Sequence, residues 1–205
     1  MKLHWSPKSP YVRKVMICAH ELGCTDQLLL VRSVAAMLNP NPAIMADNPL
    51  NKIPTLVLDG EHEEAKTLFD SRVICEYLNE RYAGALFPKE AATKWQALRW
   101  QAFGDGLLDA LILWRNERER VEPLAPLIDA FQAKTLASLA QLELETEALQ
   151  STAFSIGHIT LCCALEYMDY RFDAFGWRLK APKLAAWHAQ LATRSSIVQT
   201  RPIDG

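Results

Sequence analysis

No block of Lys or Arg interrupts this sequence: 22 basic residues lie dispersed against 24 acidic ones, leaving a formal charge of -2. Anionic polymers and membrane surfaces attract proteins through clustered positive charge, so nucleic acid is not an expected partner. Long apolar runs are missing too. The opening residues MKLHWSPKSP break with charge and proline before a signal peptide or membrane span could develop, and the cytoplasm is the expected compartment. Among the five cysteines (Cys18, Cys24, Cys75, Cys162 and Cys163) there is no CxxC pair and no metal-type spacing to histidine. They are expected to be buried, reduced thiols that pack as small hydrophobes, and no metal is expected. Internal repeats and low-complexity segments are also lacking, and with half of the residues hydrophobic the composition is that of a globular protein.

What is present divides near residue 82 of the 205. A short strand over Lys2–Trp5 is followed by a helix from about Pro10, with Val12, Val15, Met16, Ala19 and Leu22 on one face and Gly23 as its stop. QLLLV reads as a buried strand. NPNPAIMADNPLNK reads as a loop with one helical turn at most, and PTLVLDGEHEEAKTLF as two strands around a Gly turn. DSRVICEYLNERY places Val73, Ile74, Tyr77 and Leu78 on one helical stripe. This order fits one small α/β domain over residues 1–82. Residues 83–205 are expected to form an all-α bundle, with a linker at about 83–91 and helices near 91–121, 123–150, 156–170 and 182–192.

Three short segments carry chemistry in this order. In LHWSPKSPYVRK, Ser9 precedes Pro10, the pattern of an N-cap and a first helical residue, and a helix N-terminus favours an anion. Ser6 reads as a turn residue. NKIPT holds an Ile-Pro bond after a loop, and in LFDSRVICEYL Asp70 and Ser71 open a helix as caps.

Taken together with the helical half, from FSIGHITLCCALEYMDYRF to GWRLKAPKLAAW, these segments resemble the cytosolic glutathione S-transferases over essentially the full chain, and most closely the bacterial members that use serine. The resemblance implies a thioredoxin-like N-terminal domain followed by an all-α helical-bundle domain, glutathione as co-substrate, a homodimer and a small electrophilic, apolar acceptor. It implies that Ser9 faces the glutathione sulfur, that the Ile53–Pro54 bond is cis with the Ile53 backbone turned to the cysteinyl part of glutathione, that Lys52 helps hold the glycine carboxylate, and that Asp70 and Ser71 receive the γ-glutamyl end. Asp70 stands where glutamate is more usual. Trp5 has no hydroxyl, and with serine at position 9 rather than cysteine, mixed-disulfide chemistry is disfavoured. A non-catalytic binding protein of this fold, or a glutathione-dependent isomerase or reductase, are the alternatives.

Tyr11, Trp100, Phe103, Leu107 and Trp114 are candidates for the second-substrate pocket, although aromatics at helical spacing more often form core. The charged run RNERERVE reads as an exposed i,i+4 ladder. In FSIGHI the family places aspartate three residues after the capping Ser155, where this chain has His158. A weakened helix start is therefore expected, with Gly157 adding to it.

Overall fold

The structure, a computed structural model, describes residues 1–60 and 66–204. The chain forms two compact units, residues 1–87 with 195–205, and residues 88–194.

The first unit is a thioredoxin-like α/β fold. Strands β1 (Lys2–Trp5), β2 (Leu29–Arg32), β3 (Thr55–Val57) and β4 (Thr67–Leu68) form one sheet in the order β2-β1-β3-β4. β1 pairs parallel with β2 and antiparallel with β3, and β3 pairs antiparallel with β4. The two strands of the expected hairpin are present and paired; residues 61–65 between them lie outside the described residues. Helix α1 (Pro10–Glu21) is the crossover that a parallel pair requires. Of its expected apolar stripe Val12, Val15, Met16 and Ala19 are buried and Leu22 is half-buried, and the helix ends in a Schellman motif. There Gly23, at φ +64°, lets its own N–H reach the His20 carbonyl and that of Cys24 the Ala19 carbonyl, at 3.2 and 2.9 Å. The single turn α2 (Pro42–Met45) falls in the proline-rich loop, and α3 (Ser71–Arg81) packs beside α1.

All the assigned elements of the second unit are helical. Its first helix, α4 (Ala91–Arg118), buries Ala97, Trp100, Gly104, Leu107, Leu111 and Trp114, a stripe with steps of three and four residues. Next come α5 (Ala125–Leu144), α6 (Thr146–Ser151), α7 (Ile156–Arg171), α8 (Trp177–Lys180) and α9 (Pro182–Leu191). Every residue of α7 from Ile156 to Met168 is buried, so this helix is the centre of the bundle, and α4 is its main neighbour. The helix expected over 123–150 is two helices. It begins at Ala125, with the second of two prolines in its first turn, and breaks at Glu145. Glu117, in the run read as exposed, is buried because its carboxylate accepts the Leu124 N–H at 2.7 Å; Arg115 and Glu119 do pair across one turn, at 3.6 Å.

The domain boundaries also differ from expectation. The first unit extends to Phe87, and the end of the chain, read as part of the helical half, belongs to it. There the short helix α10 (Ser195–Val198) packs on α1, with Ile197 fully buried. The Arg13 guanidinium donates to the Ile197 carbonyl at 3.3 Å, and Ser196 donates to Glu21. A buried guanidinium on α1 needs acceptors, and the chain end supplies them.

Candidate functional site

Strand pairing gathers three of the expected segments at one end of the sheet. His4 pairs with Thr55, the first residue of β3, and Leu56 pairs with Leu68, the last residue of β4. Antiparallel pairing thus carries the exit of β1, the entry of β3 and the exit of β4 to the same edge. Residues 6–9, 52–54 and 70–71 adjoin those ends directly, so Ser9, Lys52, Ile53, Pro54, Asp70 and Ser71 share one end of the α/β unit.

Ser9 is the N-cap of α1, with extended backbone and half-buried; its Oγ accepts the Val12 N–H at 3.3 Å. In that bond the hydroxyl is an acceptor, and its own hydrogen is left to donate. Ser6 is engaged differently. Its Oγ accepts from Arg32 at 2.9 Å and from the Lys8 N–H at 3.4 Å, the contacts of a turn residue. Trp5 lies under the Arg32 guanidinium, 5.9 Å from ring centroid to Cζ.

The Ile53–Pro54 bond is cis. Pro54 is buried, Ile53 is half-buried and Lys52 is exposed. The β1 ladder starts at Thr55, so Ile53 lies outside it. What holds this corner is Asn48, a fully buried side chain that the sequence reading missed. Its amide donates to Thr55 Oγ1 at 2.9 Å and to the Lys52 carbonyl at 3.3 Å, and its oxygen accepts the Leu50 N–H at 3.0 Å. The neighbouring loop is tied to the sheet by His4, which bridges Ser33 Oγ at 2.8 Å and Asp47 at 2.7 Å. Hydrogen bonds from His4 and then Lys2 hold the Asp47 carboxyl below the usual carboxylate range. An Asn in a proline-rich loop carries no periodic signal, which is why spacing could not single it out.

At α3 the expected capping holds. Asp70 is the N-cap, exposed, with Oδ1 accepting the Arg72 N–H at 2.8 Å, and Ser71 is the buried first residue of the helix. The exposed Asp70 carboxylate can still meet a cation.

The remaining candidates divide by burial. Tyr11, in the first unit, and Phe103, in the second, are half-exposed. Trp100, Leu107 and Trp114 are buried in the helical unit, at 1, 4 and 5 % exposure. The Trp100 indole N–H donates to Glu145 at 2.6 Å, and its ring meets His158 edge-on at 5.4 Å. Burial works to raise the Glu145 carboxyl, but hydrogen bonds from Arg99, Trp100 and Gln141 outweigh it and hold the group low. Trp114 packs on Phe172 at 4.6 Å, and its own N–H has no acceptor among the described residues.

The weakened start expected for α7 is not found. His158 takes the place of the usual acid in a complete capping box. Its Nδ1 accepts the Ser155 N–H at 3.2 Å, which leaves the ring hydrogen on Nε2 to donate to the Leu149 carbonyl at 3.1 Å. Burial lowers the affinity of the ring for a second proton; the Leu149 bond opposes this and the Arg194 charge adds to it. The imidazole is therefore neutral at pH 7, and no positive side chain is set against the positive helix end. Gly157 likewise has a reason. A Cβ there would lie 2.8 Å from the Ala97 carbonyl oxygen and 2.8 Å from Trp100 Cβ.

An α/β unit whose helix N-termini and cis-proline corner converge on one sheet end, followed in sequence by a helical unit, defines a protein of thioredoxin-like fold with a helical bundle after it. Residues 8–81 match the family model of the glutathione S-transferase N-terminal domain. Across 98% of both chains, the sequence is 30% identical to the uncharacterized GST-like protein YibF of Escherichia coli K12. A crystal structure of a glutathione transferase family member from Pseudomonas fluorescens Pf-5 with bound glutathione is 38% identical, covering 99% of each chain with a TM-score of 0.92. Another from the same organism, with bound S-(propanoic acid)-glutathione, is 36% identical over 100% of each chain, with a TM-score of 0.88. The chain belongs to the glutathione S-transferase family. No helix among the described residues is long and apolar enough to cross a membrane.

Proposed function

We propose that the chain is a glutathione transferase that joins the glutathione thiolate to small, electrophilic apolar compounds, with Ser9 donating a hydrogen bond to the sulfur. The observation that carries this reading is the N-cap geometry of Ser9: its Oγ accepts from Val12, so its hydrogen is left for a sulfur lying at the α1 N-terminus. In this reading the Ile53 backbone pairs with the cysteinyl part of glutathione as an added strand does, Lys52 reaches the glycine carboxylate, and Asp70 with Ser71 takes the γ-glutamyl end. Pro54 fixes the corner that presents Ile53. The ligands bound in the two Pseudomonas crystal structures support the co-substrate, and the thioether in one of them supports conjugation to a small acceptor. Tyr11 of the first unit and Phe103 of the second are half-exposed and each is proposed as an acceptor contact, whereas Trp100, Leu107 and Trp114 are buried in the helical unit.

The energetics are sufficient. A cysteine-type thiol with a pKa of about 8.5 is roughly 3 per cent thiolate at pH 7. A hydrogen bond to a charged group contributes about 1.5–3 kcal/mol, which at ~1.36 kcal/mol per unit lowers the pKa by about one to two units. The helix end adds ~0.5 kcal/mol. Serine in this role is a donor and forms no covalent bond, which separates the reading from disulfide reduction.

The test is a pH titration of protein-bound glutathione, read by thiolate absorbance, in the wild type and in Ser9→Ala. The expected result is ionisation about one to two units below free glutathione in the wild type, lost in the variant. Binding without any displacement of the ionisation, or no binding, refutes the transferase reading.

A further inference from the structure

We propose that Cys162, Glu166 and His188, inside the helical unit, form a site for one divalent metal ion of the zinc class. The site is independent of glutathione. Cys162 and Glu166 stand one turn apart on α7 and so project from the same face, and α9 brings His188 against them. All three are buried, at 0, 7 and 2 % exposure. Sγ of Cys162 lies 3.6 Å from Glu166 Oε1 and 3.9 Å from His188 Nε2, and these last two atoms are 3.1 Å apart. Tetrahedral zinc with bonds of about 2.3 Å to sulfur and ~2.0–2.2 Å to nitrogen and oxygen sets its ligand atoms about 3.4–3.6 Å from one another. The triangle on the protein, at 3.6, 3.9 and 3.1 Å, lies within about 0.4 Å of those spacings, a difference that small side-chain adjustments can take up.

The donor set also has the right charge. A thiolate, a carboxylate and a neutral imidazole sum to two negative charges, which a dication cancels. That cancellation is what burial demands. Thiolate with imidazole selects zinc-like ions over magnesium or calcium, and three protein ligands leave the fourth position open.

Without metal, the cluster is held together by protons. Arg178 donates to His188 Nδ1 at 3.3 Å, so the ring hydrogen sits on Nε2 and is directed at Glu166, and the Cys162 thiol donates to the same carboxylate. Metal binding needs Nε2 bare and the thiol ionised. The ring hydrogen moves to Nδ1, the thiol proton leaves to solvent, and bonds from Sγ, Nε2 and the carboxylate to the metal replace the two hydrogen bonds. About one proton is released per ion. Arg178 then gives up His188 and keeps Asp169, which it already holds at 2.6 Å. Its half-exposed side chain can make that move at little cost.

The experiment uses the full chain, stripped by a chelator and kept reduced by a phosphine, without glutathione, titrated with Zn²⁺ and with Co²⁺. The expected result is one ion per chain, about one proton released per ion, and a thiolate-to-cobalt charge-transfer band. Cys162→Ser loses the band and weakens binding by more than the ~10- to 100-fold that outer-shell partners contribute. Glu166→Gln, which keeps the shape of the side chain, also weakens it; Cys163→Ser, at the adjacent thiol outside the triangle, leaves stoichiometry and band unchanged; Arg178→Met tightens binding by removing the competing donor. Wild-type binding no tighter than that of Cys162→Ser overturns the proposal, as does a band that survives in Cys162→Ser. Should Cys162→Ser not fold, the Glu166→Gln and Arg178→Met titrations decide: unchanged affinity in both overturns it. None of these outcomes bears on the Ser9 titration.

Discussion

The interface between α4 and α7 depends on the absence of two side chains. At Gly157 an added Cβ would meet the Ala97 carbonyl oxygen and Trp100 Cβ, each at 2.8 Å; at Gly104 it would meet Thr160 Cγ2 at 2.9 Å and the Thr160 carbonyl carbon at 3.0 Å. Relaxed carbon contacts lie at about 3.5–4.0 Å. Most of the atoms struck belong to backbone or to a Cβ, so no rotamer change relieves the overlap and the helices must separate. Overpacking of this kind costs about 1–3 kcal/mol. Against it stands the helix preference for Ala over Gly, ~0.5–1 kcal/mol. Gly157→Ala is therefore expected to lose about 1 kcal/mol net, as is Gly104→Ala. Gly106 supplies the control, because it lies in the same helix, exposed, with nothing within 4 Å of its added Cβ. Gly106→Ala is expected to gain ~0.5–1 kcal/mol. Urea unfolding followed by circular dichroism measures all three; with a slope of ~2–3 kcal/mol/M, the midpoint of Gly157→Ala falls by ~0.3–0.5 M. A Gly157→Ala protein as stable as wild type, or a Gly106→Ala protein destabilised to the same degree as Gly157→Ala, refutes the close-approach account.

Stability should fall on acidification through His158. Burial makes the folded ring hold a second proton less firmly than the unfolded one, whose ordinary value is 6.5, so its contribution is complete above that pH and is lost as pH falls from 6.5 toward the folded value. The slope is at most ~1.4 kcal/mol per pH unit, one proton's worth, and comparison of the urea midpoint from pH 8 to pH 5 with that of His158→Gln isolates it. An equal pH dependence in the variant removes His158 from the explanation. His158→Asp is expected to destabilise, because it discards the bond to the Leu149 carbonyl and buries a carboxylate among Trp100, Phe154 and Trp187. Asn48→Ala leaves Thr55 and the Leu50 N–H short of a partner and should cost about 1–3 kcal/mol, while weakening glutathione binding measured by calorimetry; unaltered affinity would detach Asn48 from the Ile53 corner. Removal of residues 195–205 exposes the face of α1 that Ile197 covers and leaves Arg13 without the Ile197 carbonyl, so the thermal midpoint should drop; an unchanged midpoint would show that the tail contributes nothing.

Local signals carried much of the fold. Period-two and period-3.6 patterning, Gly23 at a helix end, and Ser9-Pro10 and Asp70-Ser71 at helix starts are properties of neighbouring residues, and most elements they mark are present, although the strand read as buried in QLLLV is largely exposed. The same locality explains the misses. The break at Glu145 has no Gly or Pro to announce it, and the chain reads through it as one helix. Glu117 looked solvated because nothing nearby in sequence shows that it accepts the Leu124 N–H.

By itself, then, the sequence determined the α/β-then-helical order, the caps and the three short segments of the candidate site, since propensity, capping and turn chemistry act within a few residues. Tertiary structure decided the rest, because it depends on which surfaces meet. It took the last residues of the chain into the first unit to satisfy a buried guanidinium. It turned His158 from a poor substitute for aspartate into a neutral cap that also bonds α6, and Gly157 from a helix weakness into the contact that lets α7 approach α4. Last, it brought His188 to within 3.9 Å of a cysteine 26 residues away, a proximity that no spacing rule along the chain can state.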